Sequence, residues 1–253
     1  MTHGSSLAPP PRWPIQAYNA LARAGVRLGC RPAPIRVRDV LRTARRSTGL
    51  ADLGEQRIAE PLARLTRGYD MEAGLSPFGR RVARGILESL LAERLRIVDV
   101  LTRHPEIREI PIRQPMFVVG FPRTGTTLLY NLLAQSAGAR ALLTWESVYP
   151  APPPGGRATR RDPRARRVSW QIRLIKYLVP EFDTIHELDA MAPEEDMRLL
   201  RHTFVSWAFA LPGDMPGYIE WLMQVEPETV REAYRFYRNQ LQLLSWRHEP
   251  ARW

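Results

Sequence analysis

The spacing of apolar residues along the chain changes character near residue 110. Before it, apolar positions recur three and four residues apart. The longest such run covers about 77–103, where Ile86, Leu87, Leu90, Leu91, Leu95, Val98 and Leu101 repeat at helical spacing, and His104-Pro105 stops it. Residues 36–48 predict a shorter, Arg-rich helix ending near Gly49, and residues 55–68 another, punctuated by Gly68. Beyond 110 the continuous apolar run Met116-Phe117-Val118-Val119 predicts a short buried strand. A tight loop follows, then a helix over about 126–136 with Leu128, Leu129, Leu132 and Leu133, closed by Gly138. Ala141-Leu142-Leu143 predicts a second, parallel strand, and the Pro/Gly stretch 150–156 a loop. Residues 163–178 predict a helix. Another is expected to open at Pro193, with Glu194, Glu195 and Asp196 in its first turn where carboxylates complement the dipole. The last opens at Pro227, with Val230, Tyr234, Tyr237, Leu241 and Leu244 as its buried stripe. The chain has no internal repeat.

This order predicts a Pro/Ser-rich, disordered tail over 1–15 and a helical region over 16–110. An α/β domain over 111–253 follows, a P-loop-like parallel sheet flanked by helices. Such a sheet needs several strands covered on both faces, and the pattern supplies only two. The chain stops at Ala251-Arg252-Trp253, directly after a helix, where a further strand is due. The expectation is therefore a fragment, or a protein shortened at its C-terminus, with a partial sheet.

The loop between the predicted strand and helix carries the chemistry. Residues 120–127 read Gly-Phe-Pro-Arg-Thr-Gly-Thr-Thr. Gly120, Gly125 and Thr127 stand at the spacing of a phosphate-binding loop, which aims backbone N–H groups and the positive end of a helix dipole at an anion. Position 126 is Thr where a Walker-type loop has Lys, so ATP or GTP hydrolysis fits poorly. A cation stands at Arg123 instead. The competing reading is a Gly/Thr turn that merely joins a strand to a helix.

Composition adds limits. With 253 residues, 44% hydrophobic and 25% charged, the chain can bury a sizeable core. Its apolar runs fall well short of the ~18 residues a membrane span requires, and the N-terminus lacks a cationic flank and long apolar core, so no signal peptide is read. Cys30 stands alone, which excludes an intrachain disulfide and suits a cytoplasmic setting. The net charge of +11 is almost all arginine; Lys176 is the one lysine. Arginine usage of this kind has a bland origin in base composition, but it also makes a field for an anionic cofactor. The arginines are scattered without interleaved aromatics, which argues against nucleic acid. No His/Cys/Asp group has metal-ligand spacing.

Pro122-Arg123-Thr124-Gly125-Thr126-Thr127 resembles, position by position, the phosphosulfate-binding loop of sulfotransferases, which use 3′-phosphoadenosine 5′-phosphosulfate (PAPS). The chain resembles a bacterial branch of that family with a helical N-terminal extension, over roughly 36–253. Residues 46–50, 75–80, 103–105, 144–146, 150–154 and 193–195 also carry the likeness. The resemblance implies PAPS as co-substrate and no metal. It implies that Arg123, Thr124, Gly125, Thr126 and Thr127 bind the 5′-phosphate end, and that Arg123 stabilises charge on the leaving oxygen, where the family more often has Lys. It further implies that residues holding the 3′-phosphate lie beyond Trp253.

A hydroxyl acceptor needs a general base. His186, in a predicted loop, is the first candidate, against a surface histidine. Glu146, beside Trp145 near the end of the second predicted strand, is the next, against a buried ion-pair carboxylate. Glu194 and Glu195 read better as helix-start residues. Trp207, Phe209, Tyr218 and Trp221 could line an apolar acceptor pocket, though core packing suits most of them. The expected function is sulfuryl transfer to a small-molecule, carbohydrate or lipid acceptor. A nucleotide-kinase-like P-loop protein and a non-catalytic anion-binding fragment are the alternatives.

Overall fold

The computed structural model describes residues 12–30, 32–121, 124–152, 162–180, 188–210, 213–248 and 253. Among them the regular structure is helical. The helices are α1 (Trp13–Arg27), α2 (Val37–Thr48), α3 (Ala59–Arg67), α4 (Pro77–Arg103), α5 (Thr126–Leu133), α6 (Thr144–Val148), α7 (Pro163–Leu178), α8 (Met197–Leu200), α9 (Pro216–Gln224) and α10 (Pro227–Ser245). Local chemistry sets several ends. Ser76 Oγ accepts from Gly79 N at 3.1 Å to open α4, and Pro77 occupies the first helical position. Gly49 closes α2 at φ +72°, a left-handed position that suits glycine. Asp162 accepts from Arg164 N at 2.8 Å to open α7.

The 27-residue α4 is the spine. Its Leu87, Leu91 and Leu95 are buried in one core with Val40 and Ala44 of α2, Leu62 and Leu65 of α3, and Phe204, Phe209, Met215 and Tyr218 from the second half. Its C-terminal Ile97 and Leu101 pack in another with Ile107 and with Phe236 and Leu243 of α10. Arg94 of α4 is fully buried between the halves. Its guanidinium donates to Leu53 O (2.8 Å), Gln56 Oε1 (2.9 Å) and His202 O (2.9 Å), and lies 4.0 Å from the centre of the Phe236 ring. The predicted boundary near residue 110 is therefore bridged by shared core.

The expected parallel α/β sheet is not there: among the described residues no strand forms. The segment 116–119 is irregular and its apolar side chains lie open, Val119 at 90% exposure. A strand is defined by its ladder partner, and among the described residues the one backbone bond for this segment runs from Met116 N to Trp253 O (2.7 Å). The second predicted strand reduces to an isolated antiparallel bridge between Leu143 and Pro193. Pro193 lies in that bridge and does not open a helix; the helix there begins at Met197. At the N-terminus α1 starts at Trp13, inside the predicted tail. Gly68 does not stop α3, which runs on into a π turn over Gly68–Glu72. That glycine is needed for close approach, because a Cβ there would meet Met215 Sδ at 2.9 Å.

Candidate functional site

The loop ahead of α5 is built by two glycines. Gly125 caps α5 at φ +87°, where a side chain would be strained. Gly120 lies against the returning chain, and a Cβ there would meet Thr126 Cγ2 at 2.7 Å. Thr124 Oγ1 donates to Phe121 O at 2.7 Å and pins the turn. The first bond within the helix runs from Leu129 N to Gly125 O (3.1 Å). The N–H groups of Thr126, Thr127 and Leu128 thus precede the helical ladder and need an outside partner. Thr124, Gly125 and Thr127 are exposed. Pro122 and Arg123, the latter with its expected role at the leaving oxygen, lie outside the described residues, as does His186.

Behind the loop lies a cavity of about 720 Å³ lined by Thr127 and Asn131 of α5, Gln135 just past it, Arg140, Glu146 of α6, and His248. A smaller one, about 310 Å³, borders Thr126 and Thr127 from the side of residues 116–120, Tyr130 and Tyr237. Thr127, Arg140 and Glu194 line both.

Glu146 sits in the first turn of a helix and not at a strand end. It is 1% exposed. Oε2 accepts from Leu143 N at 3.1 Å, and Oε1 meets the Arg140 guanidinium at 3.0 Å. The two groups perturb each other in the expected way. Burial raises the Glu146 carboxyl above its usual range, against the pull of Arg140; burial likewise lowers Arg140, against the pull of Glu146. Arg140 also stacks on Trp253, 4.6 Å from the ring centre. Burial pushes the Tyr130 hydroxyl up to about 12, and its oxygen accepts from Leu142 N at 3.1 Å. Burial and then Arg140 lower His248 to about 4, so its ring is neutral at pH 7. His248 Nε2 and Asn131 Oδ1 are buried and find no hydrogen-bond partner among the described residues. Both residues line the larger cavity, although these two atoms are themselves shut off from it.

Glu194 and Glu195 are not first-turn residues. Glu194 Oε2 pairs with Arg198 Nε at 2.7 Å, and Glu194 Oε1 accepts from Glu195 N at 2.9 Å. The expected aromatic pocket resolves mostly into core: Phe209 and Tyr218 are fully buried, Trp221 packs against them, and Trp207 is half exposed. None of the four lines the cavities beside the loop. Arg140, Asn131 and His248 were not expected from sequence; His248 lies more than a hundred residues from the loop, and no local pattern marks it. No cluster of His, Cys, Asp or Glu among the described residues could hold a metal ion.

The chain has recognisable relatives. Residues 115–239 match the model of the sulfotransferase family. Among solved structures, sulfotransferase STF1 from Mycobacterium tuberculosis H37Rv superposes with a TM-score of 0.76 at 28% identity, over 88% of this chain and 61% of that one. Sulfotransferase STF9 from Mycobacterium avium gives a TM-score of 0.74 at 30% identity, over 86% of this chain and 55% of that one. The chain thus spans a little over half the length of these proteins. No curated protein sequence matches it. The match begins just ahead of the Gly120–Thr127 loop and takes in every residue of the cavity up to Glu194, so the chain is similar to sulfotransferases across both the loop and the cavity.

Proposed function

We propose that the chain carries the phosphosulfate end of a sulfotransferase site, moving a sulfuryl group from PAPS to an acceptor hydroxyl. The observation that carries this is the loop: a left-handed Gly125 presents the open N–H groups of Thr126, Thr127 and Leu128 beside a cavity that holds a buried carboxylate. The residues fit a phosphate group. The N-terminal N–H groups of α5 and its dipole favour a dianion, the hydroxyls of Thr126 and Thr127 add donors, and Gly120 leaves the loop its room. PAPS, when bound, supplies the sulfuryl group and a bisphosphate leaving group. Arg123, from its place in the motif, stabilises the charge that develops on the leaving oxygen; a guanidinium stays charged and offers a fork of donors.

Of the candidate bases, His186 rests on sequence alone. Glu146 has the better support, since it lines the same cavity as Thr127 and burial strengthens it as a proton acceptor. Arg140, ion-paired to it, fixes its orientation and stabilises the ionised form that takes the acceptor proton. The acceptor would occupy the 720 Å³ cavity, bordered by Asn131, Gln135, Arg140 and His248.

Calorimetry with 3′-phosphoadenosine 5′-phosphate and with ATP tests the reading. Binding of the bisphosphate in preference to ATP, lost in Thr127→Val, is the expected result. Preference for ATP would return the loop to the kinase-like class.

A further inference from the structure

Helices α1 and α7 each carry a second apolar stripe that faces away from the protein. On α1, Ile15 and Asn19 face inward, the latter accepting from Phe78 N at 2.9 Å. Trp13, Ala17, Leu21, Ala24 and Leu28 recur on the opposite side at helical spacing. Trp13 is 73% and Leu28 85% exposed. On α7, Ala165, Val168 and Ile172 are buried, while Trp170, Leu174 and Tyr177 form the outer row, Trp170 at 59% exposure. The start of α1 and the end of α7 meet, the guanidinium of Arg12 lying 4.7 Å over the ring of Tyr177. Scattered exposed apolar residues mean little, but two aligned rows of Trp, Leu and Tyr mark an interaction surface.

The charge around these rows selects the occupant. Neither helix contains an Asp or Glu. Arg23 and Arg27 flank the outer row of α1, and Arg166, Arg167 and Arg173 that of α7; all five are exposed. From Arg12 to Thr48 the sequence holds nine arginines against one carboxylate, Asp39. Two copies of such a face repel each other, and a nucleic acid would leave the leucines uncovered. An anionic lipid surface satisfies both features. Trp and Leu enter the headgroup boundary, and arginines at the sides reach lipid phosphates. At 15 and 16 residues the helices are too short to span a bilayer, so they would lie in its plane.

We propose that the outer faces of α1 and α7 form a docking surface for anionic membrane lipid. The surface is separate from the phosphate-binding loop, and the proposal does not depend on sulfuryl transfer. It is tested by co-sedimentation of the chain with vesicles of phosphatidylcholine, with and without phosphatidylglycerol. The mixed vesicles are expected to bind the chain, and phosphatidylcholine alone to bind it roughly tenfold or more weakly. A Trp13→Ser/Leu28→Ser/Trp170→Ser variant keeps the net charge, and an Arg23→Gln/Arg27→Gln/Arg166→Gln variant keeps the apolar rows. Each should lose roughly tenfold or more in vesicle partition, with circular dichroism unchanged because every altered side chain is exposed. A serine variant that binds like the parent would overturn the proposal and leave a general polyanion surface, which duplex DNA would then also occupy. Equal binding to both vesicle types would overturn it as well. So would a parent that sediments as a dimer, fails to bind vesicles, and becomes monomeric on serine substitution.

Discussion

Glu146 forms a buried ion pair with Arg140 at 3.0 Å, as its competing reading had it, and also accepts from Leu143 N; the proposed function gives it a second role as the base. It is almost fully buried, has one guanidinium partner, and borders a cavity large enough for a substrate. Glu146→Gln is expected to lower transfer by about 10²–10⁴, the range for loss of a general base. Bisphosphate binding should stay unchanged, and the acidic limb of the pH–rate profile should vanish. An unaltered rate would return the role to His186. The proposed mechanism sets Arg123 at the leaving oxygen: Arg123→Ala should then cost on the order of 10²–10³ in rate, while Arg123→Lys should keep the charge and most of the activity. Glu93 of α4 is perturbed by burial too, away from the two cavities. Burial raises it from 4.5 to about 7, although Ala151 N donates to it at 2.8 Å and Arg96 pairs with it at 3.1 Å. Its folded pKa lies above the unfolded value, so the folded chain holds the extra proton. The stability that follows is present below pH 4.5 and is lost as pH rises through about 7. Glu93→Gln keeps an acceptor for Ala151 and should flatten that loss. The unfolding free energies of parent and variant, compared between those pH values, should diverge as pH rises, by up to about 3 kcal/mol. Parallel curves would mean that Glu93 is ionised throughout.

Among elements, α5 and its loop bear most on function. Gly125→Ala forces a side chain into the left-handed region at a cost of about 1 kcal/mol. Because the strain falls on the loop, bisphosphate affinity should drop more than global stability; a titration beside a thermal melt separates the two. The loop was legible in sequence because its chemistry is local, two glycines and a run of hydroxyls in eight residues. The longer helices were legible for the same reason. Gly49 ends α2, Ser76-Pro77 opens α4, Pro163 opens α7 and Pro227 opens α10, each by a cap or fixed φ within one turn. The sheet was misread because alternation and apolar runs describe a strand's faces, whereas a strand also needs a neighbour that the run itself does not specify. Residues 116–119 have the expected composition and no ladder. Helix α6 was hidden by its five residues and α9 by its lack of a sharp stripe. The cavity was legible only in part. Thr127 and Glu146 belong to motifs, but Asn131, Arg140 and His248 reach it through tertiary packing.

At the scale of the whole molecule, Arg94 decides whether the chain behaves as one unit. It projects from the spine helix into a site with no exposure to water, and its three bonds end on Leu53 O, Gln56 and His202 O. Those partners come from the first and second halves of the sequence. Among the described residues no carboxylate is bonded to it, and burial lowers the guanidinium to about 9, with Asp52 opposing from a distance. The charge is carried by carbonyl dipoles and by the face of Phe236 at 4.0 Å. Arg94→Met fills the space with apolar volume but leaves two buried carbonyls and an amide without donors. Each lost bond to a charged group is worth roughly 1.5–3 kcal/mol and is partly offset because no charge need be buried. The net expectation is destabilisation of about 2–4 kcal/mol. The form of the transition is more telling than its midpoint. Parent protein should unfold in one denaturant transition by fluorescence and by circular dichroism, because the α2–α4 core continues into Phe204, Phe209 and Tyr218. In Arg94→Met the two signals should separate, the segment around His202 loosening before α4. Coincident transitions at unchanged midpoint would show that the shared apolar core alone joins the halves, with Arg94 a buried charge the fold merely tolerates.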